Sequence, residues 1–295
     1  MESSSLISAA AGLVGSVSGL ILFPLEFLKI NIIAGDGYSK NFLPRYKTIK
    51  EACADIYKTS GFLSFYRGCH VNAFSSIAWT LYFYIYDISK KRHRSIESTY
   101  PTLFKLLTAS EAAVLSRVLT SPLWVIKTRL ILQKNSLSWY GDTVEVVKKI
   151  WKVDGFKGYF AGLGPGLCLC TNGILNVFFY EIQKELFQCH STTCIGLYGV
   201  NSKMMSTILS YPIQLVMIKL QQEQYSGTIL KRSGEVNGTQ GDRKFFSSSW
   251  GCVKTVLEKE GLRGLYRGFT LQILRTLPGN GLFFILYEST LKLIG

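Results

Sequence analysis

Cysteine patterns that form disulfide scaffolds or zinc sites are missing from this sequence. The seven cysteines include no pair of Cys-x-x-Cys units in the 295 residues. Cys189, His190 and Cys194 lie close together without a convincing fourth ligand, so we predict no metal site. His70 and His93, like His190, have no neighbouring nucleophile or carboxylate constellation. The sequence therefore predicts neither an enzyme nor a cofactor.

Acidic residues are also scarce. There are 19 of them against 33 lysines and arginines, which gives a formal charge of +14. With a mean hydropathy of +0.20, this charge predicts anionic partners, either lipid headgroups or an anionic solute. The basic residues are scattered through apolar segments, which argues against nucleic acid. The N-terminal stretch MESSSLISAA has no basic region, so any targeting signal is expected to be internal.

Long segments with little charge are what the sequence does contain. A membrane-spanning helix needs about 20 mostly apolar residues, and six segments approach this. Six is an even number, so both termini are predicted on the same side. The candidate spans are residues 6–23, 71–86, 106–132, 161–180, 198–221 and 269–293.

Several of these spans contain or end at charged residues. A charge inside a bilayer is costly, so such side chains usually face a bundle interior or a water-filled cavity. This favours a path for a solute. A soluble helical protein with partly buried ion pairs is the alternative reading. The charged residues concerned are Glu26, Lys29, Glu111, Arg117, Lys127, Lys203 and Arg275.

Three sets of short motifs recur in the same order three times. The first set has proline as its second residue: FPLEFLK, SPLWVIK and YPIQLVM. The second set has glycine as its second and last residues: SGFLSFYRG, DGFKGYFAG and EGLRGLYRG. The third set begins with tyrosine: YDISK, YEIQK and YESTL. We predict that Pro24, Pro122 and Pro212 each kink the first helix of a repeat. In the full pattern an acid and a base three residues apart share one helix face, so adjacent helices would pair acid to base.

The proline motifs resemble the P-x-[DE]-x-x-[KR] signature of the mitochondrial carrier family. The resemblance implies an all-α membrane protein of six transmembrane helices and three short matrix helices in a pseudo-threefold barrel. Its repeats would span residues 1–95, 103–190 and 195–295. It also implies alternating access to one substrate site between two gates. Residues 225–249, rich in Gly, Ser and Thr, are expected to form a flexible matrix loop.

Within that family the sequence is similar to the branch of folate, flavin, pyrimidine-nucleotide and nicotinamide-nucleotide carriers. Trp124 stands where the second signature has its acid. The runs SEAAVLSRVLTSPLWVIKTRLILQ, AWTLYFYIYD and RTLPGNGLFFILYE look like the folate/FAD carriers.

The resemblance implies a matrix gate that keeps one ion pair, Glu26 with Lys127. Gln214 would face Lys29, at best through a charge-assisted hydrogen bond. Gln221 occupies the position where the family often braces such a pair. The implied matrix-gate set is Glu26, Lys29, Lys127, Gln214 and Gln221.

The implied cytoplasmic gate keeps two ion pairs, Asp87 with Lys184 and Lys90 with Glu288. Glu181 would face an uncharged residue, Leu291. The implied cytoplasmic-gate set is Asp87, Lys90, Glu181, Lys184 and Glu288.

The implied substrate site is centred on Arg275, whose planar guanidinium suits phosphate or carboxylate. Lys203 and Arg117 would add positive charge, with Glu111 as partner for one of them. Aromatic and amide groups would flank a planar ring, although Trp79 and Phe74 also read as packing residues. The implied substrate-binding set is Arg275, Lys203, Arg117, Phe74, Ser75, Trp79, Cys168 and Asn172.

The function expected from the resemblance is transport of a FAD- or folate-like anion across the mitochondrial inner membrane, with both termini on the intermembrane-space side. Cardiolipin is the expected lipid partner. Pyrimidine- or nicotinamide-nucleotide transport, and a peroxisomal membrane, stay open. So does a structural subunit of a membrane complex, bound to other subunits, because Met217, Leu291, Ser60 and Ala161 depart from charged positions of the family pattern.

Overall fold

The described part of the chain is helical apart from short turns. The computed structural model describes residues 17, 19–35, 44, 46, 48–74, 76–94, 101–133, 139–187, 192–232, 249–276 and 278. The α-helices are α1 (Phe23–Ala34), α2 (Ile49–Ser60), α3 (Cys69–Phe74), α4 (Ser76–Arg92), α5 (Pro101–Leu132), α6 (Trp139–Asp154), α7 (Leu163–Cys168), α8 (Thr171–Phe187), α9 (Thr192–Arg232), α10 (Ser249–Leu265) and α11 (residues 269–276). Two 3₁₀ helices, Phe62–Tyr66 and Phe156–Phe160, follow α2 and α6.

The three signature prolines occupy two different settings. Pro24 lies in the first turn of α1, just after a turn at Leu22, where a missing N–H costs no intrahelical bond. Pro122 and Pro212 lie inside α5 and α9, which continue through them. At these two positions the helix loses a backbone hydrogen bond. The kinks predicted there stay a prediction, whereas the first helix is interrupted at Leu22.

Hydroxyl groups support the helices just before the two interior prolines. Thr120 donates to the carbonyl of Ser116, and Ser210 donates to the carbonyl of Ser206, each at 2.7 Å. Each donor stands two residues before its proline. Such bonds to the carbonyl four residues earlier bend helices. The same hydrogen bond therefore precedes the proline in both α5 and α9.

Glycines with positive φ recur in pairs, one pair in each repeat. Those that end α2, end α6 and interrupt α10 have φ of 75°, 64° and 66°, and the second members have φ of 85°, 71° and 78°. L-residues rarely adopt this conformation. The glycines are Gly61 with Gly68, Gly155 with Gly162, and Gly261 with Gly268.

The second glycine of each pair packs against the first helix of another repeat. Gly68 faces α5, Gly162 faces α9 and Gly268 faces α1. The three repeats therefore contact one another in a cycle. A Cβ atom at these glycines would lie 3.5 Å from Leu130 Cβ, 3.1 Å from the Met217 carbonyl oxygen and 3.4 Å from Ile33 Cγ1.

Two arginines cap the ends of α1 and α5. Arg67 donates to the carbonyl of Gln133 at the end of α5, and Arg267 donates to the carbonyl of Gly35 at the end of α1. The corresponding residue of the second repeat is Ala161, which has no donor, and α9 continues to Arg232. The expectation of a loop from residue 225 is therefore wrong for residues 225–232, which continue the helix.

The helices expose apolar side chains and bury polar ones. On α5 the outward residues include Val114, Leu115 and Leu119, and on α9 they include Leu197 and Leu209. One stretch of the described residues, Phe156–Phe187, is long and apolar enough to cross a membrane by length and composition. The side chains buried inside include Glu26, Lys29, Lys127, Arg129, Ser202, Ser206, Lys219, Gln221 and Gln222. This distribution is typical of helices that face lipid.

Candidate transport site

One end of the helix bundle is closed by a buried carboxylate shared between two cations. Glu26 on α1 lies 2.8 Å from Lys127 Nζ on α5. Its second carboxylate oxygen lies 3.4 Å from Arg275 Nη2 on α11. Glu26 and Lys127 are 5% and 2% exposed, while the Arg275 side chain is 30% exposed. The structure thus brings together the predicted ion pair and the predicted anion-binding arginine.

Asn72 on α3 is a further member of this cluster. Lys127 donates to its Oδ1 atom at 2.6 Å, so the ammonium group bonds to both α1 and α3. Sequence reasoning missed Asn72. A polar residue in an otherwise apolar run was the available signal, but its facing direction depends on the turn at Gly68.

Lys29 does not have the predicted partner. It donates to Gln272 Oε1 on α11 at 2.9 Å, and Gln272 in turn donates to Thr276 at 3.3 Å. The expected bond from Lys29 to Gln214 is absent, since α11 rather than α9 presents the nearest acceptor. Sequence reasoning therefore missed Gln272. Its position three residues before Arg275, on the same helix face, was the signal that could have found it.

Gln221 on α9 bonds to α5 beside the buried ion pair. Its Oε1 atom accepts a hydrogen bond of 2.7 Å from Thr128, the residue after Lys127. The amide therefore joins two helices next to the ion pair, and its contact is to the neighbouring hydroxyl.

A third residue, Arg117, contacts both Trp124 and Met217. Arg117 donates from Nη2 to Met217 Sδ at 2.9 Å, and its guanidinium carbon lies 5.2 Å from the Trp124 ring centroid. Lys127 Nζ lies 4.9 Å from the same ring. The tryptophan thus lies between two cations, within cation–π range of both.

At the other end of the bundle the predicted gate residues are exposed. Asp87 and Lys90 on α4, and Glu181 and Lys184 on α8, are all exposed. Among the described residues, Asp87 and Lys184 form no ion pair, and Glu288 lies outside the described residues. Among the described residues, ion pairs therefore join the helices at the Glu26 end, whereas the four gate residues of α4 and α8 are exposed.

Glu111 has other partners than the predicted ones. It lies 2.6 Å from Arg92 Nη1 and 3.1 Å from His93 Nε2, at the end of α4. The expectation that it pairs with Lys203 or Arg117 is wrong, because the first turns of α5 lie beside the end of α4. A side-chain hydrogen bond also joins α8 and α9, where Asn201 donates to Gln183 at 3.1 Å.

Lys203 and Asn172 meet between α8 and α9. Lys203 Nζ donates to Asn172 Oδ1 at 3.2 Å. The amide nitrogen of Asn172 donates to the carbonyl of Ser206 and to the Ser210 hydroxyl. The asparagine is thus fixed in orientation, and Lys203 has a neutral partner, which leaves its charge available to an anion.

The remaining predicted contact residues are less informative. Cys168 is exposed at the end of α7. The side chains of Phe74 and Trp79, and all of Ser75, lie outside the described residues. Their roles stay predictions.

Together these features define a class of protein. Apolar side chains lie on the outside of the helices, and between the helices an apolar core lies beside a buried set of polar and charged side chains. Charged side chains join the helices at one end. Such an arrangement is that of a helical membrane transporter.

The comparison with known proteins then gives the family. The model of the mitochondrial carrier protein family matches residues 2–96, 98–191 and 190–295, and the chain belongs to this family. It is 28% identical to the chloroplastic folate transporter 1 of Arabidopsis thaliana, over 97% of this chain and 95% of that protein. It is also 28% identical to the mitochondrial nicotinamide adenine dinucleotide transporter 1 of Saccharomyces cerevisiae, over 97% and 76%. A mitochondrial FAD carrier protein of the same yeast is 26% identical, over 93% and 92%.

Proposed function

We propose that this protein transports an anionic, nucleotide-like cofactor of the folate, FAD or NAD kind across the mitochondrial inner membrane by alternating access. Its relatives bear the names of carriers for these three compounds. All three compounds combine a planar ring system with phosphate or carboxylate groups. The excess of positive charge in the chain suits such solutes.

The observation that carries the proposal is the sharing of Glu26 between Lys127 and Arg275. Two cations from different repeats therefore share one anion. The cluster thus carries excess positive charge at the closed end of the bundle. Arg275 is its partly exposed member, and a guanidinium binds phosphate and carboxylate bidentately.

Alternating access follows from the difference between the two ends. Closure at the Glu26 end and exposure of Asp87 and Lys184 at the other end describe one state of the cycle. In the opposite state the Glu26 contacts break and Asp87 pairs with Lys184. Six spans in a pseudo-threefold barrel, with both termini on the intermembrane-space side and cardiolipin bound at the matrix side, belong to this proposal. The cyclic glycine contacts support the barrel.

The test is uptake by liposomes that contain the purified protein. Labelled FAD, folate and NAD are offered separately, and saturable uptake of at least one is expected. Arg275→Ala should abolish that uptake, and Arg275→Lys should retain part of it. The matched control is Arg263→Ala, an exposed arginine on α10, which should leave uptake unchanged.

A folded protein that takes up none of these anions would overturn the proposal. Purification of the chain only within a larger assembly would then favour the structural-subunit alternative. Uptake that persists in Arg275→Ala would leave transport intact but remove Arg275 from the substrate site.

A further inference from the structure

We propose that Arg117 is the latch that holds α5 to α9 at the closed end, in place of the ion pair that Trp124 and Met217 cannot form. The effect of this latch on the rate of uptake rests on the proposed transport function. Its effect on the thermal stability of the protein does not depend on transport.

Two contacts meet at one guanidinium. Arg117 on α5 donates to the thioether of Met217 on α9, and its guanidinium lies against the ring of Trp124, seven residues further along α5. The bond from Arg117 to α9 therefore runs from a cation to a sulfur atom, which is a weak acceptor. The tryptophan ring, on the same helix as Arg117, holds the guanidinium in place by a cation–π contact.

A glycine on α7 gives the guanidinium its space. A Cβ atom at Gly166 would lie 2.9 Å from Arg117 Nε and 3.0 Å from its Nη2. Any larger residue at position 166 would therefore push the guanidinium away from Met217. Arg117 Nε is buried and has no hydrogen-bond partner among the described residues, so the guanidinium is held mainly by soft, weakly polar contacts.

This arrangement has a consequence for the transport cycle. A buried ion pair must be separated at each opening, whereas the bond from Arg117 to the Met217 thioether separates at a lower cost. The contact of Arg117 with Met217 is thus weaker than the ion pair of Glu26 with Lys127. Arg117 is assigned here to closure rather than to the substrate site.

The decisive experiment introduces a carboxylate opposite Arg117. Met217→Glu should raise the thermal midpoint of the purified protein above that of Met217→Leu and slow uptake about tenfold, since a charge-assisted bond must break in each cycle. In an Arg117→Gln background the same Met217→Glu change should lower the midpoint, because the buried carboxylate then has no cation beside it. An equal shift in both backgrounds would refute the latch.

A second pair of variants covers the case in which Met217→Glu does not fold. Gly166→Ala should lower the thermal midpoint, and most of that loss should vanish when Arg117 is already Gln. Gly164→Ala, in the same helix and with open space around it, is the control and should have little effect. Additive losses for Gly166→Ala and Arg117→Gln would refute the latch. These midpoints require no substrate, so they stand or fall separately from the proposed function.

Discussion

Glu26 and Lys127 form a buried ion pair although 101 residues separate them in the chain. The carboxylate belongs to the first helix of the first repeat and the ammonium to the first helix of the second. A second cation, Arg275, contacts the same carboxylate from the third repeat. One glutamate therefore joins all three repeats at the closed end.

Removal of either partner of this pair should destabilise the protein strongly. Glu26→Gln leaves Lys127 buried without a carboxylate, and a loss of about 3–5 kcal/mol is expected. Glu26→Gln combined with Lys127→Gln should cost less than the sum of the two single changes, because the buried ammonium is removed with its carboxylate and only the partly exposed Arg275 loses its partner. Thermal midpoints in one detergent measure the difference, and strictly additive losses would contradict an energetic coupling.

Lys29 offers a direct comparison of the predicted partner with the observed one. Gln272→Glu should convert a hydrogen bond between an ammonium and a neutral amide into an ion pair and raise stability by about 1 kcal/mol, while slowing uptake. Gln214→Glu, the matched change at the position expected from sequence, should have a smaller effect. If Gln214→Glu stabilises the protein more, Lys29 faces α9 in solution and the observed contact is wrong.

Alanine substitutions at two turn glycines should distinguish the cost of backbone strain from the cost of poor packing. Gly155→Ala should cost about 1–2 kcal/mol through its positive φ alone, because nothing lies within 4 Å of the added Cβ. Gly162→Ala is strained in the left-handed region and also presses on Met217, so Met217→Ala should recover part of its cost.

Gly173 provides the control for these two changes. It lies within α8 with open space around it, so Gly173→Ala should stabilise the protein by about 0.5–1 kcal/mol. A cost of Gly162→Ala that is unchanged in a Met217→Ala background would mean that Gly162 does not pack against the Met217 side chain.

The capping arginines should contribute to stability at the ends of α1 and α5. Arg67→Ala and Arg267→Ala each remove a charged donor to a helix-end carbonyl, which is worth about 1.5–3 kcal/mol. Arg267 also lies 3.1 Å from Glu260, so Arg267→Ala removes an ion pair as well as the cap.

The control is again Arg263→Ala, which should change the thermal midpoint little because Arg263 is exposed. Arg267→Lys should recover part of the loss, since lysine keeps the charge without the planar fork. A loss at Arg263 equal to that at Arg267 would mean that charge, and not the cap, is responsible.

The sequence predicted the family and the contact between Glu26 and Lys127, because the repeated motifs place equivalent side chains on equivalent helix faces. It misplaced the partners of Lys29 and Glu111. Both errors concern helices brought together by the tertiary packing: α11 presents Gln272 to Lys29, and the end of α4 presents Arg92 to Glu111. No local pattern specifies which of several polar residues lies nearest across such an interface.

The sequence by itself determined the helical repeats, the proline and glycine positions and the imbalance of charge, because these depend on local backbone preferences and composition. Only the tertiary structure decided which cations share Glu26 and what replaces the second ion pair. The physical reason is that a buried charge takes the partner that packing brings within reach. Here packing brings both Lys127 and Arg275 to Glu26, and it brings Arg117 to Trp124 and Met217.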